Sequence, residues 1–372
     1  MKKQQVLAKA KAKTNEKQSK LNQNSNDRYY PDLLIDEDAY IRNNYKVVRE
    51  LGRGGYGVVY KGYAYHNGQE DKTKKYAIKV NFSTVSPELI FAEIGFLKLV
   101  QGKENLPQLV NLFLTNQKIY IVTEYFSFAP FITFFSTFNM QQIRDYLREL
   151  LKALLVLKQN GIYHRDVKPG NFLYNPKIKK GILIDYGLSE IDKSFVNNMM
   201  ESGGNLSELR QRKQLYEDIM KTIAQIGHNK IGTESFMPLE SILHYQEQSY
   251  EVDIWAVGVI FLQFLTRKYN LFSNVRMVHK PAVSKNLFYV NFILELTSLF
   301  GAEAITKICN KFGYNVNLPS VVAKTPINWR SVIHVEGFDD KAEDLLTQLL
   351  ELDPQKRIKV EDALQHPFFF EQ

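Results

Sequence analysis

A chain of 372 residues, 44% apolar and 24% charged, has an ordinary globular composition and is long enough for two domains or one large two-lobed domain. One cysteine, Cys309, excludes an internal disulfide and a multi-cysteine metal site, and suits a reducing intracellular compartment. The net charge of +8 is uneven: residues 1–28 hold seven Lys and Arg28 against Glu16 and Asp27, a net +6, which leaves +2 for the rest. That Lys/Gln/Asn-rich tail predicts disorder. It reads either as a weak contact to nucleic acid or a nuclear-import signal, or as a solvated terminus with no specific partner. The apolar runs are too short to span a bilayer, and "MKKQQVLAKAKAK" has no signal-peptide core, so no membrane partner is expected.

Residues 29–44 form an extension ahead of the first regular pattern, expected to pack on the helix of the unit that follows. "YKVVRELGRGGYGVVYKGYAY" predicts two strands around a glycine turn, and "KKYAIKVNF" a third. "SPELIFAEIGFLKLV" predicts a helix opened by Ser-Pro, with Leu89, Ala92, Glu93, Phe96, Leu97 and Val100 at helical spacing. "LPQLVNLFLTNQKIYIVTEY" adds two strands. Past a hinge near Glu124–Phe128, helices dominate. "MQQIRDYLRELLKALLVLKQNG" is amphipathic and ends at Gly161, while "SYEVDIWAVGVIFLQFLTRK" is apolar nearly all round and should be buried. The chain closes on "DKAEDLLTQLLELDP" and "KVEDALQHPFF". No internal repeat is visible.

"LGRGGYGVVY" sets Gly52, Gly54 and Gly57 as G-x-G-x-x-G. Glycine lets backbone N–H groups approach phosphate oxygens, although a plain hairpin turn reads the same way. The glycines join two strands, which argues against a dinucleotide-binding strand-to-helix turn. Lys79 lies in a strand and Glu93 on the next helix. A carboxylate there can hold the lysine toward nucleotide phosphates, or Lys79 can be an ordinary surface lysine. "HRDVKPGN" places Asp166, Lys168 and Asn171 together, and "GILIDYGLS" ends a strand on Asp185. Asp166 can accept a proton from a hydroxyl and Lys168 can balance phosphate charge. Asn171 and Asp185 are hard oxygen ligands suited to Mg²⁺. Taken singly, Asp185 also reads as a turn cap and Asp166 as half of a salt bridge.

The order of glycine loop, strand Lys, helix Glu, "HRDVKPGN" and "DYG" is that of the eukaryotic protein kinase signature, and residues 45–368 resemble such a kinase. Gly232–Thr233, "DIWAVG" with Asp253 and Gly258, and "LDPQKR" before "HPFF" add to the likeness. The resemblance implies an α+β, bilobal protein kinase fold, with a small β-rich N-lobe carrying one main helix (45–126 with the hinge) and a larger, mostly helical C-lobe (127–372). It implies ATP and Mg²⁺, with Asp166, Lys168, Lys79 and Glu93 catalytic and Asn171 and Asp185 on the metal. Leu51, Val59, Ala77 and Leu173 would wall the adenine, with Ile184 beneath. Thr123 would be the gatekeeper, and backbone groups of Glu124 and Phe126 would bond the base. Glu240 would pair with Arg357. Lys168 with Thr233 resembles the serine/threonine class. A pseudokinase scaffold is the rival reading, and the complete catalytic set argues against it. A nucleic-acid-binding protein is a second rival, and the nearly neutral folded part argues against that.

"HRDVKPGNFLYNPKIKKGILIDYGLSE", "AEIGFLKLVQGKENL", "VDIWAVGVIFLQFL" and "FILELTSLFGAEAITKICNKFG" resemble the cell-division-cycle-seven or DDK family, with casein kinase two as the alternative. That likeness implies a nuclear, or nuclear and cytoplasmic, kinase of protein substrates in replication initiation, phosphorylating the minichromosome-maintenance helicase and working with a regulatory subunit. The chain departs from the family pattern in several places. "DYG" replaces "DFG", with Tyr186 expected to fill the same apolar slot. "MPLE" replaces "APE". An activation-segment insert at about 190–230 contains the helix-like "LSELRQRKQLYEDIMKTIAQIG", and a second insert spans about 270–337. Arg165 is expected to meet a negative charge on the activation segment, with Ser189, Ser194, Ser202 and Ser207 as candidate phosphosites or a partner ordering the segment instead, which the family likeness favours, and the isolated chain is expected to be poorly active. The family's "GTRGFRAPE" reads "GTESFMPLE" here, so Glu234 and Met237 stand in place of two arginines. A weakened preference for an acid after the target hydroxyl is expected, unless Lys221 or Lys230 of the insert supplies the cation.

Overall fold

The computed structural model describes residues 38–66, 68–199, 205–226, 232–245, 248–272, 285–319 and 324–370. The basic tail, most of the 29–44 extension, Ser202 and Lys230 lie outside the described residues.

The β-rich start folds as β1 (Tyr45–Gly54), β2 (Gly57–His66), β3 (Gln69–Asn81), β4 (Leu109–Thr115) and β5 (Lys118–Glu124). They form one antiparallel sheet in the order β1-β2-β3-β5-β4. Strand alternation assigns its two faces. Ile78, Val80, Tyr120 and Val122 turn to one side and pack with Val58 and Tyr60. Between them, Val59, Lys79 and Ile121 line up across β2, β3 and β5, with Ala77 opposite Thr123 in the next row. This second row faces the large lobe.

A short helix, α1 (Ala39–Asn44), covers the first face through Ile41. Asp38 caps it, accepting the Tyr40 N–H at 2.9 Å, and also accepts the Tyr120 hydroxyl at 3.1 Å. The described end of the extension therefore packs on the sheet and not on the small-lobe helix, because its apolar partners, such as Phe113 with Tyr40, lie there. That main helix, α2 (Pro87–Leu99), starts with proline in its first turn and buries Ile90, Ala92, Glu93, Gly95, Phe96, Leu97 and Leu99. Residues buried on more than one side mark a helix covered by more than the sheet.

In the large lobe, α3 (Met140–Lys158) opens on a capping box in which Asn139 and Gln142 satisfy each other's backbone N–H groups. Two ribbons follow. β6 (Ile162–Tyr163) pairs with β9 (Glu190–Ile191), and β7 (Phe172–Asn175) pairs with β8 (Lys180–Leu183). Between the strands of these ribbons lie "HRDVKPGN" and "DYG". Then come α4 (Lys193–Asn198), α5 (Leu206–Ile226), α6 (Leu239–Ile242) and α7 (Glu251–Thr266). Every residue of α7 from Glu251 to Leu265 is buried, as its all-round apolarity requires. The lobe is completed by α8 (Lys285–Phe300), α9 (Ala302–Lys311), α10 (Trp329–Val332), α11 (Asp340–Leu349) and α12 (Val360–Leu364). The stretch 190–230 holds α4 and α5, and 270–337 holds α8, α9 and α10. The α+β, two-lobed expectation stands. Among the described residues no helix is long and apolar enough to cross a membrane.

Candidate active site

Between the lobes lies a cleft of about 700 Å³. Gly52, Gly54 and Gly57 edge it from above, at the β1–β2 turn. The three glycines serve different ends. A Cβ on Gly57 would sit 2.2 Å from the Val80 carbonyl oxygen, so that residue is dictated by strand pairing. A Cβ on Gly52 or Gly54 would meet no protein atom within 4 Å, so what they leave open is room for a ligand. Leu51, Val59, Ala77, Leu173 and Ile184 all line the same cleft, as do Thr123, Glu124 and Phe126. The Glu124 N–H is taken by the Gln108 carbonyl at 3.0 Å. Among the described residues the backbone of Phe126 takes no hydrogen bond, which leaves it available to a base.

Lys79 reaches from β3 to Glu93 on α2, with Nζ 2.5 and 2.7 Å from the two carboxylate oxygens. Burial works against the Lys79 charge, but Glu93 and then Asp185 outweigh it and hold its pKa above the ordinary lysine value. Both ends of the pair sit on rigid elements, so the ammonium is fixed at the inner wall.

On the floor, four donors converge on the Asp166 carboxylate. Thr233 gives its N–H and hydroxyl to Oδ1 at 2.9 and 2.7 Å. Lys168 Nζ and Asn171 Nδ2 reach Oδ2 at 2.6 and 2.9 Å. Lys168 also donates to the Thr233 hydroxyl at 2.7 Å, which ties the activation segment to the catalytic loop. Gly232 lets the two approach, since a Cβ there would lie 2.3 Å from the Arg165 carbonyl oxygen. Asn171 Nδ2 also bonds the Asp166 carbonyl at 2.9 Å, so the amide is oriented and its oxygen takes no donor among the described residues. Asp185 accepts one N–H, from Gly187 at 3.3 Å. Two oxygen side chains with spare lone pairs match a hard cation that takes its remaining ligands from phosphate and water. Among the described residues no cluster of three His, Cys, Asp or Glu forms a closed metal cage.

Arg165 (φ +66°) and Asp185 (φ +71°) have left-handed backbones that their side chains disfavour. Asp253 of α7 holds the first by accepting the N–H groups of His164 and Arg165 at 2.6 and 2.8 Å. His164 Nε2 donates to the Ile184 carbonyl at 3.0 Å, and Nδ1 accepts the Asp166 N–H at 3.3 Å. Tyr186 fills the expected apolar slot beside Phe96 and His164, and its hydroxyl donates to the Leu183 carbonyl at 3.2 Å.

Glu240 meets Arg357 at 2.7 and 3.2 Å, both side chains wholly buried. The same guanidinium donates to the carbonyls of Glu251 and Glu351 at 2.8 Å, so its charge is matched by fixed acceptors. "MPLE" therefore keeps the anchor. Three expectations change. Met237 is buried in the core and reaches the surface only in the wall of a cavity that it shares with Arg165, Asp166 and Thr233. Ser189 is also buried, its hydroxyl 3.3 Å from the His164 carbonyl, which removes it from the phosphosites. Arg165 already has a carboxylate, that of Glu190. Tyr56, not singled out in the sequence, lines the cleft from the loop tip. Burial, then the charges of Asp185 and Asp166, push its phenol upward. Its place just before Gly57 in the glycine loop is the signal that could have found it.

The protein kinase domain family matches residues 45–369. The chain is similar to the cell cycle protein kinase spo4 of Schizosaccharomyces pombe, 29% identical over 90% of this chain and 87% of that protein. It is as similar to the probable cell division control protein 7 homolog 2 of Encephalitozoon cuniculi, 29% identical over 89% and 93%. The cell cycle serine/threonine-protein kinase hsk1 of Schizosaccharomyces pombe is 26% identical over 89% and 73%. Sequence likeness along nearly the whole chain and an interlobe cleft shaped for a nucleotide lead to one assignment: the chain belongs to the protein kinase domain family.

Proposed function

We propose that this protein serine/threonine kinase acts in cell-cycle control and replication initiation, as a nuclear enzyme of the cell-division-cycle-seven type. The names of its relatives support the cell-cycle role. The +6 tail supports the nuclear place. The family likeness supports protein substrates and a regulatory subunit, which co-purification with the tagged full chain would identify.

ATP is the phosphoryl donor. The observation that carries the catalytic reading is the Asp166 carboxylate saturated by Thr233, Lys168 and Asn171 across the cleft from the Lys79–Glu93 pair. Lys79, fixed by Glu93, would take the α- and β-phosphate oxygens. Asn171 and Asp185 would hold Mg²⁺, which supplies charge neutralisation on the phosphates when bound. The substrate hydroxyl oxygen bonds to the γ-phosphorus as the bond to the ADP oxygen breaks, and the hydroxyl proton passes to Asp166. All four acceptor positions of Asp166 are filled here. Transfer of the Lys168 ammonium from Asp166 to the γ-phosphate would vacate the Oδ2 lone pair that receives the proton.

The test pairs two variants of the purified chain. Asp166→Asn should lower peptide phosphorylation by about 10²–10⁴-fold while nucleotide affinity stays. Asp185→Asn should lose Mg²⁺-dependent nucleotide binding as well. Phosphorylation by Asp166→Asn at the wild-type rate would sink the catalytic assignment.

A further inference from the structure

The insert that lengthens the activation segment forms α5, and α5 lies against α2, the helix that carries Glu93. Gly95 makes the closeness possible. A Cβ on Gly95 would fall 2.5 Å from Cγ1 and 2.8 Å from Cδ1 of Ile219. The Ile219 side chain thus occupies the space of the missing one, two residues along from Glu93. Farther down α5, Ile223 and Ile226 enclose with Leu89, Ala92 and Phe96 of α2 a gap of only about 30 Å³. Residues 186–190, which follow Asp185, form another wall of the same gap. The three isoleucines recur at four and three residues, one face of a helix.

The other support of α5 is in the large lobe. Tyr216, fully buried, donates its hydroxyl to the Asn160 carbonyl at 2.5 Å, and Arg212 reaches the Asn160 side-chain oxygen at 2.5 Å. Phe195 of α4 packs on the same tyrosine ring. Tyr216 and Ile219 are one turn apart, so a single rigid turn is bonded to the large lobe at one residue and wedged against the small-lobe helix at the other.

We propose that α5 is a built-in clamp, in which Ile219 acts as a positioning residue that holds α2 where Glu93 meets Lys79. The activation segment then sets the nucleotide-aligning pair from within the same chain. A shift of α2 by even 1 Å would carry the carboxylate away from an ammonium that it now touches at 2.5 and 2.7 Å. This deepens the kinase reading and rests on it for its kinetic arm only.

The experiment uses the full chain and a size swap. Gly95→Ala should lower kcat/KM for ATP by on the order of ten- to a hundredfold, because the new methyl displaces Ile219 and with it the helix. The double variant Gly95→Ala with Ile219→Ala makes room for that methyl and should recover most of the loss, which places the cause at this contact. Ile219→Asp should speed deuterium exchange in residues 87–99 while α7 stays protected. Exchange is read without catalysis, so a wild-type chain that phosphorylates nothing would remove the kinase reading and still leave the clamp measurable. Gly95→Ala at wild-type turnover, a double variant no better than the single, or unchanged exchange in 87–99 would each overturn the clamp.

Discussion

Arg165 shows how one side chain alters the regulation that a motif implies. Next to a catalytic acid, an arginine invites an activating phosphate, and the sequence supplies serines to carry one. The guanidinium instead meets Glu190, which also accepts the Tyr163 hydroxyl at 3.0 Å. A carboxylate across the β6–β9 ribbon does the work of a phosphate without a modifying enzyme. This removes one ground for expecting an inactive isolated chain. Phosphatase treatment is expected to leave turnover unchanged, and Glu190→Gln to lower it severalfold. A phosphatase-sensitive wild type, with phosphate mapped to Ser194 or Ser207, would contradict this. That Lys79, Glu93, Asp166, Asn171 and Asp185 meet at one cleft was legible because phosphoryl transfer leaves few residue types to choose from at each place. Glu190 was not, because an acid at the end of a short strand has no signature until β6 lies beside β9.

At the scale of elements, the stretch 232–240 is fixed at both ends. Thr233 is bound to Asp166 and Lys168, and Glu240 to Arg357. Between them a single 3₁₀ turn, Glu234–Phe236, spans the gap, and Met237 points into the core. Of the two positions that the family likeness gives to arginine, Met237 is buried and Glu234 half-buried, and neither carries a cation. Neither side chain can donate to an acid on the peptide, and the lost charge-assisted bond is worth roughly 1.5–3 kcal/mol. A positional-scanning peptide library is therefore expected to show little selection for Asp, Glu or phosphoserine directly after the target hydroxyl. Strong selection there would place a cation nearby, with exposed Lys221 of α5 the described residue to test. The helical spacing of α5 was readable in the sequence. What covers its apolar face was not, because a stripe of isoleucines reports a buried side without saying which surface buries it.

The two-lobed plan was legible because period-two and period-3.6 patterns separate near residue 127, and alternation alone places Lys79 and Thr123 on one face. Burial deep in the large lobe is harder to read, and the lone cysteine tests it. Cys309 lies on α9 beside Ile305 and Ile308, all three in the main core. Burial pushes its thiol up to about 11. Only the thiolate is the nucleophile, so at pH 8 about one thiol in a thousand would be ionised even if reagent could reach it. It cannot, since the side chain is wholly enclosed. Reaction requires an opening of the lobe, which for a domain stable by about 5–15 kcal/mol is populated below roughly one part in a thousand. Iodoacetamide at pH 8 is thus expected to leave the native chain unlabelled over hours and to label it once per molecule in denaturing urea. A single cysteine makes the readout unambiguous by intact mass. Labelling should track loss of the far-ultraviolet helical signal as urea rises. Fast labelling with the helical signal intact would mean that α9 detaches from its neighbour α8 by a local opening, and that the large lobe does not unfold as one unit.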